Sequence, residues 1–452
     1  MDMHDNIWVI EDLEQKTDHK LDKFGAPKAT KASDVEFGEK FERLFNLMEN
    51  TSKSLFITGK AGTGKSTLLR YFLKKTKKEV VSLAPTGLAA INADGQTIHR
   101  FFGFPPSMLD KSTIKRPKNP KMYERLDTLI IDEISMVRAD LMDAMNLFLK
   151  KSRKSTEPFG GVQMILFGDL FQLPPVTKNE EKVMMNSRYS SSYFFDANIM
   201  KDFDIQIIEL TEVFRQKEAE FIALLDSVRH GNISLEEISK INCRVDPVFL
   251  PKKDDPHIIL CSTNYGADLI NQQRLRELSG REFSYLAKLE GKCNPRSFPG
   301  EEKLILKSKA RVIFIKNDPD GIFVNGSLGI VDELGHDYIL VKLDDGTYVN
   351  LSQSTWEANK YEFDESKNEI SSRIIGKITQ FPIKLAWALT IHKSQGQTFE
   401  NVFIDFSSGI WDHGQAYVAL SRCTTLKGMV LKTPVLQKHV IVDPRVIQFM
   451  KW

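Results

Sequence analysis

The stretch Gly59-Lys60-Ala61-Gly62-Thr63-Gly64-Lys65-Ser66 decides the fold, because it matches the spacing G-x-x-x-x-G-K-[S/T] and lies between two patterned segments. Before it, SLFIT reads as a buried strand; after it, a helical pattern opens near Lys65. Glycines let the backbone turn its N–H groups inward around phosphates, and the start of a helix adds the positive end of its dipole. That chemistry assigns Gly59, Ala61, Gly62, Thr63, Gly64, Lys65, Ser66 and Thr67 to nucleotide binding. Lys65 is expected to reach the β and γ phosphates and Ser66 to bind Mg²⁺, so ATP and Mg²⁺ are the expected ligands.

Working outward, FGEKFERLFNLME places Phe37, Phe41, Leu44, Phe45 and Met48 on one helical face. Residues 1–34 are polar and carry both charges, which suggests a loose segment with one strand-like patch, Ile7–Ile10. Downstream, VVSLAP, TLIIDE and QMILFGD are short apolar runs separated by helical patterns. They imply an α/β fold with a parallel sheet and helices on both faces, spanning 35–102 and 123–203. Residues 103–122 break the rhythm with Pro105, Pro106, Pro117 and Pro120 and several lysines and arginines, and read as a basic excursion, a candidate wedge. A second αβ series is expected over 204–283 and 377–452, opening near Ile205. Between its halves, 284–376 carries short β-type runs (RVIFI, LGIVDEL, YILVKL, TYVNL) with Gly, Asp and Asn turns, which suggests an inserted small β-barrel.

Composition narrows the partners. The formal net charge is +2 over 452 residues, so a polyanion would have to be gripped in a local groove rather than on a generally basic surface. No run approaches the roughly 18 apolar residues of a membrane span. The start, MDMHDNIWVIEDLEQ, is acidic where a secretory signal would be basic. Cys243, Cys261, Cys293 and Cys423 are scattered without a CxxC pair, which fits reduced thiols inside a cell better than zinc or disulfides.

Two further groups carry chemistry. In LIIDE, an apolar strand ends in two carboxylates; Asp132 is the expected metal-side group and Glu133 the expected general base. In GDLFQLPP, Gln172 is placed to sense a γ-phosphate and Phe171 to face substrate. Phosphoryl transfer needs positive charge at the γ-phosphate, and Arg215 and Arg422 of the second series are the candidates. A lone arginine is more often a surface or ion-pair residue, and each gains weight only in context.

That context is the order of the motifs. GKAGTGKS, APTGLAA followed by GQTIHRFF, IIDEISMV, FGDLFQLPPV, LTEVFRQ, HKSQGQTF and YVALSR occur in the order seen in superfamily 1 helicases. Over roughly 36–430 the chain resembles the Pif-type DNA helicases, relatives of the RecD subunit; LMDAMNLFLKKSRKSTEPFGGVQ and VNGSLG add to the likeness. The resemblance implies two RecA-like cores sharing one ATP, an SH3-like barrel and 5′-to-3′ travel on single-stranded DNA, with forked or tailed duplexes as partners. It places Lys65, Ser66, Asp132, Glu133, Gln172, Arg215 and Arg422 in the ATPase site, with Gly396 close to the nucleotide. It places Pro85, Thr86, His99, Phe101, His392, Lys393 and Ser394 near DNA. Base stacking on aromatics makes Phe101, Phe102 and Trp411 candidates, though rings of this kind are more often core than platform. The glutamine that often reads adenine ahead of the phosphate loop has no counterpart in EFGEKFERLFNLMEN. A monomer is expected, without membrane contact, in the cytoplasm of a prokaryote or in the nucleus or mitochondrion of a eukaryote. The competing readings are an RNA helicase of the same superfamily, distinguished by sensitivity to the 2′-OH, and a P-loop switch that hydrolyses ATP without moving.

Overall fold

A computed structural model describes residues 7–9, 39–105, 107–252, 255–292, 298–364, 369–407 and 409–451. The first sheet is built from β1 (Ile7–Val9), β2 (Leu55–Gly59), β3 (Val80–Ala84), β4 (Gln96–Thr97), β5 (Thr128–Ile131), β6 (Gln163–Phe167) and β7 (Gln206–Leu210). Their spatial order is β1-β7-β2-β6-β5-β3-β4, and all six neighbouring pairs are parallel. Every residue of β2, β5 and β6 is buried, as expected for central strands covered on both faces. The helix Glu39–Asn50 lays Leu44 and Met48 on the sheet beside Leu68, Leu69 and Phe72 of the helix Lys65–Lys75.

β7 corrects one expected boundary. The run near Ile205 pairs with β2 (Phe56 opposite Ile207) and so belongs to the first sheet, not the second core. β1 adds the edge beyond it, taking in most of the strand-like patch seen in the first residues. The chain end also returns to the first core. Helix Pro444–Met450 buries Val446 there, and Phe449 stacks on Phe195 with centroids 4.6 Å apart.

The basic excursion is anchored rather than free. Phe104, Leu109, Ile114 and Met122 are buried in the first core. The Leu109 N–H donates to Asp140 (2.9 Å), and Lys151 Nζ donates to the Ile114 carbonyl (2.6 Å). Lys115 and Lys118 stay exposed at its outer turn.

The second sheet is parallel and four-stranded, in the order Ala388–Thr390, Ile258–Cys261, Val402–Asp405, Met429–Leu431. Helix Ala219–His230 packs Phe221, Leu224 and Val228 with its core. Between its first two strands in chain order lies the β insertion. Its described strands pair as a five-stranded antiparallel sheet, a three-stranded sheet and a two-stranded ribbon. The five-stranded sheet recruits Ile383–Leu385, beyond the expected boundary at 376, because Val312 to Phe314 pair with that segment. In the three-stranded sheet, the hairpin of Ser354–Asp364 and Glu369–Gln380 reaches the first core, where Tyr361 edges Phe101 and the Ile370 N–H donates to Glu79. At another point Asn325 donates to Asn92 of the first core (3.1 Å). No helix of the described residues is long and apolar enough to cross a membrane.

Candidate functional site

Three loops of the first core meet because β2, β6 and β5 are adjacent and parallel, with Ile57 level with Phe167 and Leu166 level with Ile131. Their carboxyl ends therefore deliver Gly59–Ser66, Gly168–Gln172 and Asp132–Glu133 to one crevice, where ligands of open α/β sheets bind. Gly64 caps the helix Lys65–Lys75 in the left-handed region, at φ 84°. Gly62 shares that φ, and a Cβ there would lie 2.4 Å from the Arg215 Cβ, so a side chain is excluded twice over. Lys65 Nζ is folded onto the loop, donating to the carbonyls of Gly59 (2.5 Å) and Lys60 (2.8 Å) and to Thr63 Oγ1 (3.4 Å). Burial lowers its pKa to about 8, against the pull of Asp169 and Glu133. Thr63 is buried and donates to the Lys60 carbonyl, whereas Ser66 and Thr67 are open to the crevice.

Asp132 is buried, and its Oδ1 accepts the Glu133 N–H at 2.9 Å. Burial and the neighbouring Glu133 push its pKa up to about 7; burial also raises that of Glu133, opposed by Lys65 and Arg422. Glu133 has φ 51°, a left-handed backbone that non-glycine residues adopt at a cost of about 1–2 kcal/mol. A buried Asp132, a half-buried Glu133 and an exposed Ser66 hydroxyl are hard-oxygen groups of the kind Mg²⁺ takes with phosphates and water. Among the described residues no cluster of three or more His, Cys, Asp or Glu side chains could form an all-protein cage.

The second core closes the crevice. Arg215 donates to the Gly396 carbonyl at 3.2 Å, and the Phe214 N–H donates to that of Gly62. Arg422 is 1% exposed; its guanidinium donates to the carbonyls of Val418, Ser394 and Gln397 and to Ser421 Oγ. Burial and the nearby Arg215 lower its pKa to about 9. Both arginines thus lie at the site, held by backbone carbonyls of their own core.

Five contacts across the cleft were not legible in the sequence. Gln395 Nε2 donates both to Glu133 Oε2 (3.0 Å) and to Gln172 Oε1 (3.1 Å). The Ala61 N–H donates to the Tyr417 hydroxyl at 2.9 Å, and Lys60 pairs with Asp226 at 2.8 Å. Arg229 forms a buried ion pair with Asp169 at 3.0 Å. Residue type carried no signal for any of them. Gln395 and Tyr417 do fall inside HKSQGQTF and YVALSR, where only neighbouring residues had been singled out.

The expected DNA contacts divide. Pro85 and Thr86 follow β3 and are half-buried; Thr86 Oγ1 accepts the Ala89 N–H at the start of a short helix. His99 and His392 are half-buried, and burial lowers the pKa of each. Lys393 is exposed. Four of the candidate residues are buried. Phe101 is 6% exposed and ringed by Phe102, Tyr123 and Tyr361, and Phe102 packs on Phe104 and Phe148, so neither ring has a face for a base. Ser394 is 0% exposed, with its hydroxyl turned to the Ile391 carbonyl. Phe171 is also buried, under the Arg229 guanidinium at 4.4 Å and against His230, rather than facing substrate. Trp411, 53% exposed, remains available for stacking.

A phosphate loop, a carboxylate pair and a cleft completed by arginines from a second parallel-sheet core define a two-core P-loop ATPase of the motor type. The profile of the PIF1-like helicase family matches residues 39–239. The ATP-dependent DNA helicase Pif1 of Bdellovibrio bacteriovorus is 33% identical over 416 residues, 89% of each chain. The structure of Bacteroides Pif1 with ADP-AlF4 superposes with TM-score 0.85 at 38% identity, over 91% of this chain and 96% of that one. Bacteroides Pif1 bound to single-stranded DNA gives 0.67 at 37% identity, over 92% and 97%. The chain belongs to the PIF1-like helicase family.

Proposed function

We propose that this ATP-dependent DNA helicase tracks 5′-to-3′ along single-stranded DNA as a single chain and opens forked or tailed duplexes. The observation that carries the reading is Gln395, Arg215 and Arg422 of the second core gathered around Glu133 and Gln172 of the first. ATP lies between the cores. Lys65 exchanges the Gly59 and Lys60 carbonyls for β- and γ-phosphate oxygens. Ser66 and Asp132 would hold Mg²⁺, which would offset the phosphate charge. Glu133 accepts a proton from the attacking water as the water oxygen bonds to the γ-phosphorus and the bond to the β–γ bridging oxygen breaks, leaving ADP and phosphate. Gln172 orients the γ-phosphate, and Arg215 and Arg422 stabilise charge that builds in the transition state. Closing and releasing the cleft alternates the grip of the two cores on the strand, with Lys393, His392 and Trp411 on the second core and Pro85, Thr86 and His99 on the first.

Nothing in the phosphate loop, carboxylates or arginines selects a direction, since the same chemistry serves either polarity. Support for 5′-to-3′ travel is the Pif/RecD likeness together with the β insertion inside the second core. The test is a pair of duplexes with a 5′ or a 3′ single-stranded tail, incubated with ATP and Mg²⁺. Unwinding of the 5′-tailed duplex is expected; unwinding of the 3′-tailed one alone overturns the direction. ATPase stimulated by single-stranded RNA as strongly as by DNA would overturn the substrate.

A further inference from the structure

The loop His392–Gln397, leaving the carboxyl end of strand Ala388–Thr390, does three things within six residues. Lys393 projects to solvent on the face assigned to DNA. The carbonyls of Ser394 and Gln397 receive Arg422, and that of Gly396 receives Arg215. Gln395 crosses the cleft to the first core with both contacts of its amide nitrogen. We infer that Gln395 is a positioning residue for catalysis: its amide holds Glu133 Oε2 and Gln172 Oε1 together and so aims Glu133 Oε1 at the attacking water. Resting on the helicase reading above, this also names a physical link by which DNA at Lys393 acts, through Gln395 two residues on, on the base Glu133.

The chemistry favours the assignment. An amide N–H to a carboxylate oxygen is a charge-assisted hydrogen bond, stronger and more directional than a neutral one. Both acceptors lie on the first core and the donor on the second, so the bond to Glu133 exists only while the cores are closed. A base oriented by a group from the opposite core hydrolyses ATP only in the closed state, which is what productive coupling requires. Asp132, Lys65, Asp169, Arg215 and Arg422 also surround Glu133, but among the described residues its carboxylate accepts its hydrogen bond from Gln395 and not from these. Gln395 is therefore the orienting contact the geometry supplies.

The test is a double-mutant cycle read in ATP turnover with saturating oligo-dT. Gln395→Ala is expected to lower kcat at least tenfold while the KM for ATP and the half-saturating oligo-dT concentration stay within about threefold. In a Glu133→Gln background, where the base is already lost, the same substitution should lower the residual single-turnover rate less than about twofold, because residues acting as a unit are non-additive. Lys393→Ala is the contrast, raising the half-saturating oligo-dT concentration. An equal tenfold loss in both backgrounds, or a wild-type kcat in Gln395→Ala, overturns the role. Failure of oligo-dT to stimulate the unmodified protein would instead overturn the helicase reading, so the two are separable.

Discussion

Arg422, proposed above to act on the γ-phosphate, is held rigidly by its own core. Four donors of its guanidinium are used on its own core, three of them on backbone carbonyls, so the side chain has one geometry and little freedom to lose. Arg422→Ala is expected to lower turnover about 10³-fold or more, the scale of an arginine finger, while ATP affinity changes little. A fall of less than about tenfold removes it from the catalytic set. Arg422→Lys keeps the charge but loses the planar fork and should recover little. Lys65 and Glu133 separate binding from chemistry. Lys65→Ala should abolish hydrolysis; Glu133→Gln should bind ATP, measured with a fluorescent analogue, and turn over very slowly. Wild-type turnover by Glu133→Gln refutes the base assignment.

The excursion 103–122 illustrates how an element's packing changes the experiment that tests it. Read from its prolines and lysines it is a removable loop, yet Phe104, Leu109, Ile114 and Met122 are core residues and its backbone is held by Asp140. Deleting it would strip Phe104 from Phe148, and the loss of several buried apolar side chains costs about 2–5 kcal/mol each. The informative variant leaves the anchors and removes the exposed charges, Lys115→Ala with Lys118→Ala. It is expected to keep DNA-stimulated ATPase within about twofold and to slow strand separation several-fold. Equal unwinding rates eliminate the wedge.

Over the whole molecule, the near-neutral charge limits how DNA is held. With 62 basic and 60 acidic side chains, attraction must come from a few groove residues. Binding to single-stranded DNA should weaken with salt at a log–log slope of about −0.7 for each phosphate neutralised. Lys393→Ala should make the slope shallower by one such increment; a flat response in the unmodified protein would exclude a phosphate-tracking groove. The two cores are joined by more than the strand they hold. The Asp169–Arg229 pair, Lys60–Asp226 and Ala61–Tyr417 cross the cleft, and helix Pro444–Met450 brings the chain end back to the first core. Breaking the buried Asp169–Arg229 pair by Asp169→Ala leaves Arg229 charged, with Glu209 its remaining acidic partner among the described residues, and a drop of about 3–5 kcal/mol is expected, read as a lower melting temperature.

The phosphate loop, the carboxylate pair and the αβ alternation were legible in the chain alone, because each is a local pattern: a glycine spacing, a strand end, a run of apolar residues. Local patterns also located Gln172, Arg215 and Arg422, once the order of motifs supplied the context. Tertiary structure decided everything that depends on which strands become neighbours. β7 follows the first core's last predicted strand by some forty residues and still pairs with β2, because a parallel sheet can add a strand at either side of its first. For Phe101, Phe102 and Phe171 the sequence leaves core and platform both open; packing buries all three, since burial depends on residues distant in the chain. Gln395 is 262 positions from Glu133 and 223 from Gln172, and only the closing of two sheets against each other brings its amide to both.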